Sequence, residues 1–66
     1  MRVGTIIRLP NEYSDYATIR DKNGRSYSVE KGELPQAAKE GDEYSYKLEL
    51  WSGNSGIGYD LRDKED

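Results

Sequence analysis

Residues 16–30 read YATIRDKNGRSYSVE, two short runs of strand-forming residues on either side of an Asn-Gly pair. Asn-Gly between alternating runs is the strongest short-range signal for a β-hairpin. Successive side chains of a strand point to opposite faces of the sheet, so every second residue of a run shares a face. One such face carries the apolar and aromatic residues Ala17, Ile19, Tyr27 and Val29. We therefore predict an antiparallel hairpin that buries this face.

Three further runs of the same kind extend the pattern toward both ends of the chain. The five predicted strands cover residues 3–9, 16–21, 25–30, 43–50 and 58–62. Residues 32–39 are the helix-like segment, because Pro35 suits a first helical turn and Gly41 can end it. Short strands at regular spacing favour a barrel, whose closure removes exposed edges. The prediction is an all-β fold, a small five-stranded antiparallel barrel with one short helical turn between strands 3 and 4.

The length of 66 residues suits a single domain. We assign residues 1–62 to the barrel and residues 63–66 to a charged tail that is expected to fray. Hydrophobic residues make up only 33% of the chain, so aromatic side chains have to supply much of the core. Alternation along the strands predicts four tyrosines in that core: Tyr27, Tyr44, Tyr46 and Tyr59.

Composition argues against several classes of function. The chain has no cysteine and no histidine, which removes zinc sites of the Cys/His type and histidine acid–base catalysis. Its serines have no histidine to activate them. We predict that the protein is not an enzyme and has no cofactor and no metal. Because no apolar run approaches the ~20 residues that span a bilayer, and no signal-peptide pattern is present, we expect a cytoplasmic protein with no membrane partner.

Several short motifs are spread along the whole chain: Gly4-Thr5-Ile6, Tyr16-Ala17-Thr18-Ile19, Gly24, Glu40-Gly41-Asp42, the alternating Tyr44, Tyr46 and Leu48, and the turn glycines Gly53 and Gly56. Together they resemble the motifs of the cold-shock family of OB-fold proteins. The resemblance covers about residues 1–62 and implies an OB-fold barrel, with an SH3-like barrel as the alternative topology. It also implies binding of single-stranded RNA or DNA by stacking of bases on aromatic residues of strands 2 and 3.

The chain differs from that family at the stacking positions. Tyr16 keeps one aromatic residue of strand 2, Thr18 replaces the next, and strand 3 carries Ser28 and Glu30, followed by Lys31. With Gly41-Asp42 before strand 4 and Tyr59-Asp60-Leu61-Arg62 at the end, the architecture also resembles bacterial translation initiation factor one and S1-type domains. That second resemblance implies contact with RNA through basic and polar surfaces.

A polar, partly basic face is predicted across strands 1 to 3. Its candidate nucleic-acid-binding residues are Arg8, Tyr16, Arg20, Ser28 and Lys31, which an ordinary solvated face would also explain. Lys22 and Arg25 flank the Asn-Gly turn and can extend this face, although we favour solubilising charges at a hairpin tip. Trp51 can stack on a base, but we favour a role as a cover over one open end of the barrel.

Two hypotheses follow for function. The first is a small noncatalytic module that contacts single-stranded RNA or DNA through the polar and basic face. The net charge of −3 lowers this expectation, since nucleic-acid binding favours basic surfaces, but a local basic patch can lie on an acidic protein. The alternative is a protein-interaction or accessory module that keeps the barrel without base stacking. We expect a monomer, with a weak dimer through a strand edge or Trp51 as the alternative.

Overall fold

Five β-strands close into a barrel in the computed structural model, which describes residues 2–53 and 55–63. The strands are β1 (Arg2–Arg8), β2 (Tyr16–Asp21), β3 (Ser26–Glu30), β4 (Glu43–Leu50) and β5 (Gly56–Asp63). A single 3-10 turn, Lys31–Glu33, follows β3. The predicted all-β, five-stranded barrel is confirmed. Asp63, assigned to the tail from the sequence, ends β5, and the rest of that predicted tail lies outside the described residues.

Around the barrel the strands follow the order β1-β2-β3-β5-β4 and return to β1. Four of the pairings are antiparallel, as expected, and the β3–β5 pairing is parallel. An odd number of strands cannot alternate in direction around a closed ring, so at least one parallel pair is unavoidable. That pair is short, with Ser28 opposite Ile57 and Val29 opposite Gly58.

The predicted hairpin joins β2 to β3. Its turn is closed by a hydrogen bond from the Asp21 N–H to the Arg25 carbonyl oxygen at 2.8 Å. The Oδ1 atom of Asp21 also accepts the backbone N–H groups of Asn23 and Arg25, both at 2.9 Å. Gly24 has φ +86°, the left-handed conformation that glycine adopts without a steric penalty. A three-residue loop that ends in a left-handed residue is one of the common hairpin connections.

The barrel interior is filled by the predicted alternation. Its buried cluster consists of Ile6, Ala17, Ile19, Tyr27, Val29, Tyr44 and Tyr46. Tyr46 is fully buried because two glycines leave room for its ring: a Cβ on Gly4 or Gly58 would lie 3.1 Å from a ring carbon. The prediction for Tyr59 is wrong. It pairs with Lys47 on the outer side of the sheet and is 40% exposed.

The helical turn lies earlier than the sequence predicts. It covers Lys31–Glu33, and residues 35–39 form no helix. Leu34 has extended angles, φ −83° and ψ +130°, because the ring of a following proline disfavours helical geometry in the residue before it. The segment after Pro35 instead packs Ala38 against the core, as Leu34 does. The turn thus ends where Pro35 begins to constrain the chain.

Candidate nucleic-acid interface

Cross-strand rows of side chains form the outer surface of β1, β2 and β3. The rows are Arg8 with Thr18 and Ser28, Thr5 with Arg20 and Ser26, and Tyr16 with Glu30. Directly opposed residues point to the same side of a sheet. Four predicted site residues, Arg8, Tyr16, Arg20 and Ser28, therefore share this surface, which we call the β1–β3 face.

Arg8 reaches the β1–β3 face because β1 carries a bulge. Ile6 lies opposite Ile19, and the next pair joins Arg8, rather than Ile7, to Thr18. Strict alternation from the buried Ile6 would turn Arg8 toward the interior. One extra residue in a bulged strand reverses the side to which the following residues point. The bulge therefore places a guanidinium group in line with two hydroxyl side chains.

Arg20 and the hairpin tip form one end of the face. The guanidinium Nη2 of Arg20 lies 3.5 Å from the position that a Cβ on Gly24 would take, so this side chain leans over the turn. Lys22 and Arg25 in the same turn are exposed. Three cationic residues, Arg20, Lys22 and Arg25, thus lie at or beside the hairpin turn.

Tyr16 and Lys31 lie at the opposite end. Tyr16 pairs with Glu30 and is 43% exposed, and Lys31 opens the 3-10 turn. The Lys31 N–H donates to the Asp15 carbonyl oxygen at 3.0 Å, which ties the two connections together. A shallow cleft lined by Asp15, Tyr16, Glu30, Lys31 and Gly32 lies here. The cleft carries charges of both signs around an accessible aromatic ring.

Trp51 does not cover the barrel end, so that prediction is wrong. Trp51 is 63% exposed. Its backbone N–H donates a hydrogen bond to the Ser55 carbonyl oxygen at 3.0 Å across the β4–β5 loop. Since β3 and β5 are parallel, this loop enters β5 at the end of the sheet where the β2–β3 turn lies. Trp51 is therefore displayed at the end of the barrel that carries Lys22 and Arg25.

Sequence reasoning missed Tyr13, which is 89% exposed in the β1–β2 connection. The Oδ1 atom of Asn11 accepts the N–H of Tyr13 at 2.8 Å and that of Ser14 at 3.1 Å. An asparagine that caps its own turn in this way is a recognisable loop signal. The Asn11 to Ser14 spacing could therefore have indicated that Tyr13 stands at a loop tip. It lies at the same end of the barrel as Tyr16.

The cations of the interface have no acidic partners within the described part of the chain. There, no carboxylate oxygen lies within 4.0 Å of the five cationic candidates: Arg8, Arg20, Lys22, Arg25 and Lys31. The ion pairs of the described chain join Arg2 to Asp21 at 3.9 Å, and Asp60 to Lys47 at 3.5 Å and Arg62 at 3.4 Å. Within the described residues none of these five cations therefore forms an ion pair, although Asp15 and Glu30 line the cleft beside Lys31.

An acidic border limits the face on the β5 side. Ile57, which is opposite Ser28, lies in a cleft of about 220 Å³ whose lining includes Glu30, Glu33 and Glu49. Because these glutamates carry negative charge, the cleft marks where a polyanion would be repelled.

Among residues 2–53 and 55–63, no group of three or more acidic residues is arranged to hold a metal ion.

The shifted pKa values belong to core tyrosines. Burial raises the pKa of Tyr44. The Tyr44 hydroxyl donates a hydrogen bond to the Asp42 carboxylate at 3.4 Å, and the negative charge of Asp42 raises the pKa further. Burial also raises the pKa of Tyr46, with Asp21 adding to the effect and Arg2 opposing it. Both side chains point into the barrel, so these shifts bear on stability rather than on the β1–β3 face.

Comparison with protein families, curated proteins and solved structures finds no match. Within the described residues, no helix is long and apolar enough to cross a membrane. The geometry of the β1–β3 face is therefore the basis on which its chemistry can be argued.

Proposed function

We propose that the protein is a noncatalytic OB-type module that binds single-stranded nucleic acid along the β1–β3 face. The observation that carries the proposal is the set of cations without carboxylate partners on and around this face. Exposed aromatic residues stand at both ends, Tyr13 and Tyr16 at one and Trp51 at the other. In OB-fold proteins the surface of strands 2 and 3 and the two loops that bear these residues are the usual binding elements.

The strand order supports an OB-type barrel over the SH3-like alternative. In an OB barrel, β1 pairs with both β2 and β4, and β5 lies between β3 and β4. The order β1-β2-β3-β5-β4, with a parallel β3–β5 pair, matches this arrangement. This likeness is one of strand topology. It leads us to expect that the β1–β3 face binds the nucleic acid, as the surface of strands 2 and 3 does in OB-fold proteins.

The proposed mechanism divides the work between charge and stacking. Arg8 and Arg20 contact phosphates, while Thr18 and Ser28 donate hydrogen bonds from the flat centre of the face. Tyr16 and Trp51 stack on bases, which is worth ~1–3 kcal/mol per base and tolerates any sequence. Because the chain as a whole is acidic, with a net charge of −3, we expect weak binding that depends strongly on salt. Such a role would suit a cytoplasmic location.

An amide NMR titration of the protein at low salt tests the proposal, with pooled short single-stranded DNA and RNA oligomers as the probe. Trp51 is the only tryptophan, so its fluorescence gives the affinity in parallel. We expect shifts at Arg8, Tyr16, Arg20 and Ser28 that reverse when salt is added.

Substitutions then locate the contact. Arg8→Ala and Arg20→Ala should each weaken binding and lower the slope of log affinity against log salt by about 0.7, the value for one phosphate contact on a single strand. Arg62→Ala is the matched control, since it removes the same charge from β5 and should leave affinity unchanged. Equal losses in all three variants, or no shifts at the highest oligomer concentration, would contradict the proposal and favour a protein partner.

A further inference from the structure

The cleft at the start of β2 places a carboxylate beside an accessible aromatic ring. It is lined by Asp15, Tyr16, Glu30, Lys31 and Gly32 and has a volume of about 340 Å³. We call it the Tyr16 cleft. Tyr16 and Glu30 are directly opposed in the β2–β3 ladder, and the Cβ atoms of such a pair lie about 5 Å apart. Both side chains are exposed, so a flat ring that stacks on Tyr16 would present its edge to the Glu30 carboxylate.

The Glu30 carboxylate has no partner in the described part of the chain. Within residues 2–53 and 55–63 it forms no ion pair and accepts no hydrogen bond. Glu30 precedes the 3-10 turn that begins at Lys31, yet its side chain does not cap that turn. An ionised carboxylate has two acceptor oxygens and no donor. Both oxygens are therefore available to a ligand that donates hydrogen bonds.

Charge is distributed unevenly across the β1–β3 face, and this orients a bound strand. Arg8 lies on β1 and Arg20 on β2, whereas Glu30 lies on β3 beside the acidic cleft that borders the face. Phosphates are attracted by the cations and repelled by the carboxylates. The sugar-phosphate backbone should therefore follow β1 and β2, with its bases directed toward β3. A base on Tyr16 then turns its Watson–Crick edge, which lies away from its sugar, toward Glu30.

Guanine is the base whose Watson–Crick edge fits a carboxylate. It offers two adjacent donors there, N1–H and the N2 amino group, and the two carboxylate oxygens can accept both. Adenine and cytosine each place a ring acceptor beside their amino group, and thymine or uracil places its N3–H between two carbonyl oxygens. Guanine also carries the acceptor O6 next to N1–H. Lys31, in the same cleft, has an ammonium group that can donate to such an oxygen.

We infer that the Tyr16 cleft selects guanine in single-stranded nucleic acid. Tyr16 stacks on the base, Glu30 accepts hydrogen bonds from N1–H and N2–H, and Lys31 donates to O6. This inference deepens the proposed function and rests on it. Stacking and phosphate contacts do not distinguish the bases, so Glu30 is the residue that determines specificity.

Fluorescence anisotropy of dye-labelled oligomers is the test. Each oligomer has about seven nucleotides, all thymine except a central guanine, inosine, adenine, cytosine or thymine, and a uracil-based RNA set is measured in parallel. We expect the guanine oligomer to bind about five- to tenfold more tightly than the other four. Inosine lacks only the N2 amino group of guanine, so its weaker binding isolates the contact to the carboxylate. The ratio should persist as salt is added, because all oligomers of a set carry the same phosphates.

Two charge-removing variants separate a base contact from a general effect of charge. Glu30→Gln should bring the five affinities together and should strengthen binding of the all-thymine oligomer, because a negative charge is lost. Asp15→Asn is the matched control, since it removes a negative charge from the same cleft. It should strengthen binding of the all-thymine oligomer in the same way and keep the preference for guanine. Circular dichroism establishes that each variant is folded before it is compared.

The outcomes distinguish this inference from the proposed function. Binding of all five oligomers with equal affinity would overturn the inference and leave the proposed function standing. A guanine preference that survives in Glu30→Gln, or one that is lost in Asp15→Asn, would also overturn it, because Glu30 would then not be the contact. If no oligomer of either set binds at the highest concentration, the proposed function fails and the inference fails with it.

Discussion

The backbone N–H of Asp60 donates a hydrogen bond to the Oε1 atom of Glu33 at 3.0 Å. Asp60 lies at a bulge in β5, where two residues of this strand oppose Tyr46, and its φ of +54° is rare for a residue with a side chain. The parallel β3–β5 ladder has only two residue pairs. Besides this ladder, the hydrogen bond from Asp60 to Glu33 connects β5 to the 3-10 turn that follows β3.

Replacing Glu33 with alanine should therefore loosen the seam between β3 and β5. A hydrogen bond contributes about 1 kcal/mol net, so we expect Glu33→Ala to lower the free energy of unfolding by about that amount. Urea unfolding followed by circular dichroism measures the change. Glu40→Ala is the control, since Glu40 is also an exposed glutamate in a turn. Equal losses in the free energy of unfolding of both variants would show that the hydrogen bond between Glu33 and Asp60 does not stabilise the fold.

The strands themselves could be predicted from the sequence because alternation and turn residues are local signals. β2 and β4 match their predicted bounds, and the Asn23-Gly24 hairpin is confirmed. The bulges could not be predicted, since an extra residue is detected only against the register of the partner strand. The bulge in β1 decides where Arg8 points, and the bulge in β5 follows Tyr59, which the sequence placed inside.

The candidate site was predictable in its composition but not in its electrostatics. Alternation placed Tyr16, Arg20 and Ser28 on one side of the hairpin, and the structure brings them together there. Whether a cation is paired depends on tertiary contacts between distant segments, such as Lys47 with Asp60. The exposure of Trp51 likewise depends on how the β4–β5 loop folds, which composition alone does not determine.

The hydroxyl of Tyr46 is buried and, within the described chain, has no hydrogen-bond partner. A buried polar atom without a partner keeps its desolvation cost, which is about 1–3 kcal/mol. We therefore expect Tyr46→Phe to raise the free energy of unfolding by about 1 kcal/mol, measured in urea. Tyr44→Phe is the contrasting variant: its hydroxyl donates to Asp42 at 3.4 Å, so its removal should leave stability unchanged or lower it. A loss of stability in Tyr46→Phe would contradict the account of its hydroxyl.

Stability should fall at alkaline pH because the pKa values of Tyr44 and Tyr46 are raised above the ordinary 10.0. In the unfolded chain these hydroxyls lose their protons near pH 10, while the folded chain still holds them. The folded state then binds more protons, so the free energy of unfolding decreases as pH rises above about 10. Below about pH 10, Tyr44 and Tyr46 make their full contribution to the free energy of unfolding.

The double variant Tyr44→Phe/Tyr46→Phe isolates this effect from other groups that titrate in the same range, such as lysines. Its urea midpoint should fall less between about pH 8 and about pH 11 than that of the natural chain. Parallel curves for the two proteins would mean that the tyrosines do not supply the alkaline loss.

Gly4 of β1 packs directly against β2, and its substitution should be among the most damaging single changes. A Cβ at this position would lie 2.9 Å from both the Arg20 carbonyl oxygen and the Cγ1 atom of Ile19. The first of these is backbone in the β1–β2 ladder and cannot move without disturbing it. Overpacking of this kind costs about 1–3 kcal/mol, so Gly4→Ala should lower the urea midpoint clearly.

Gly32→Ala is the matched control for Gly4→Ala, because a Cβ on Gly32 would meet nothing within 4 Å. That variant should be neutral or slightly more stable, since alanine reduces the conformational freedom of the unfolded chain. Because Gly4→Ala would press on the backbone of Arg20, we also expect amide shifts along β2 in its NMR spectrum. If both glycine variants unfolded at the same urea concentration, the close packing of β1 against β2 at Gly4 would have no measurable weight in the stability of the barrel.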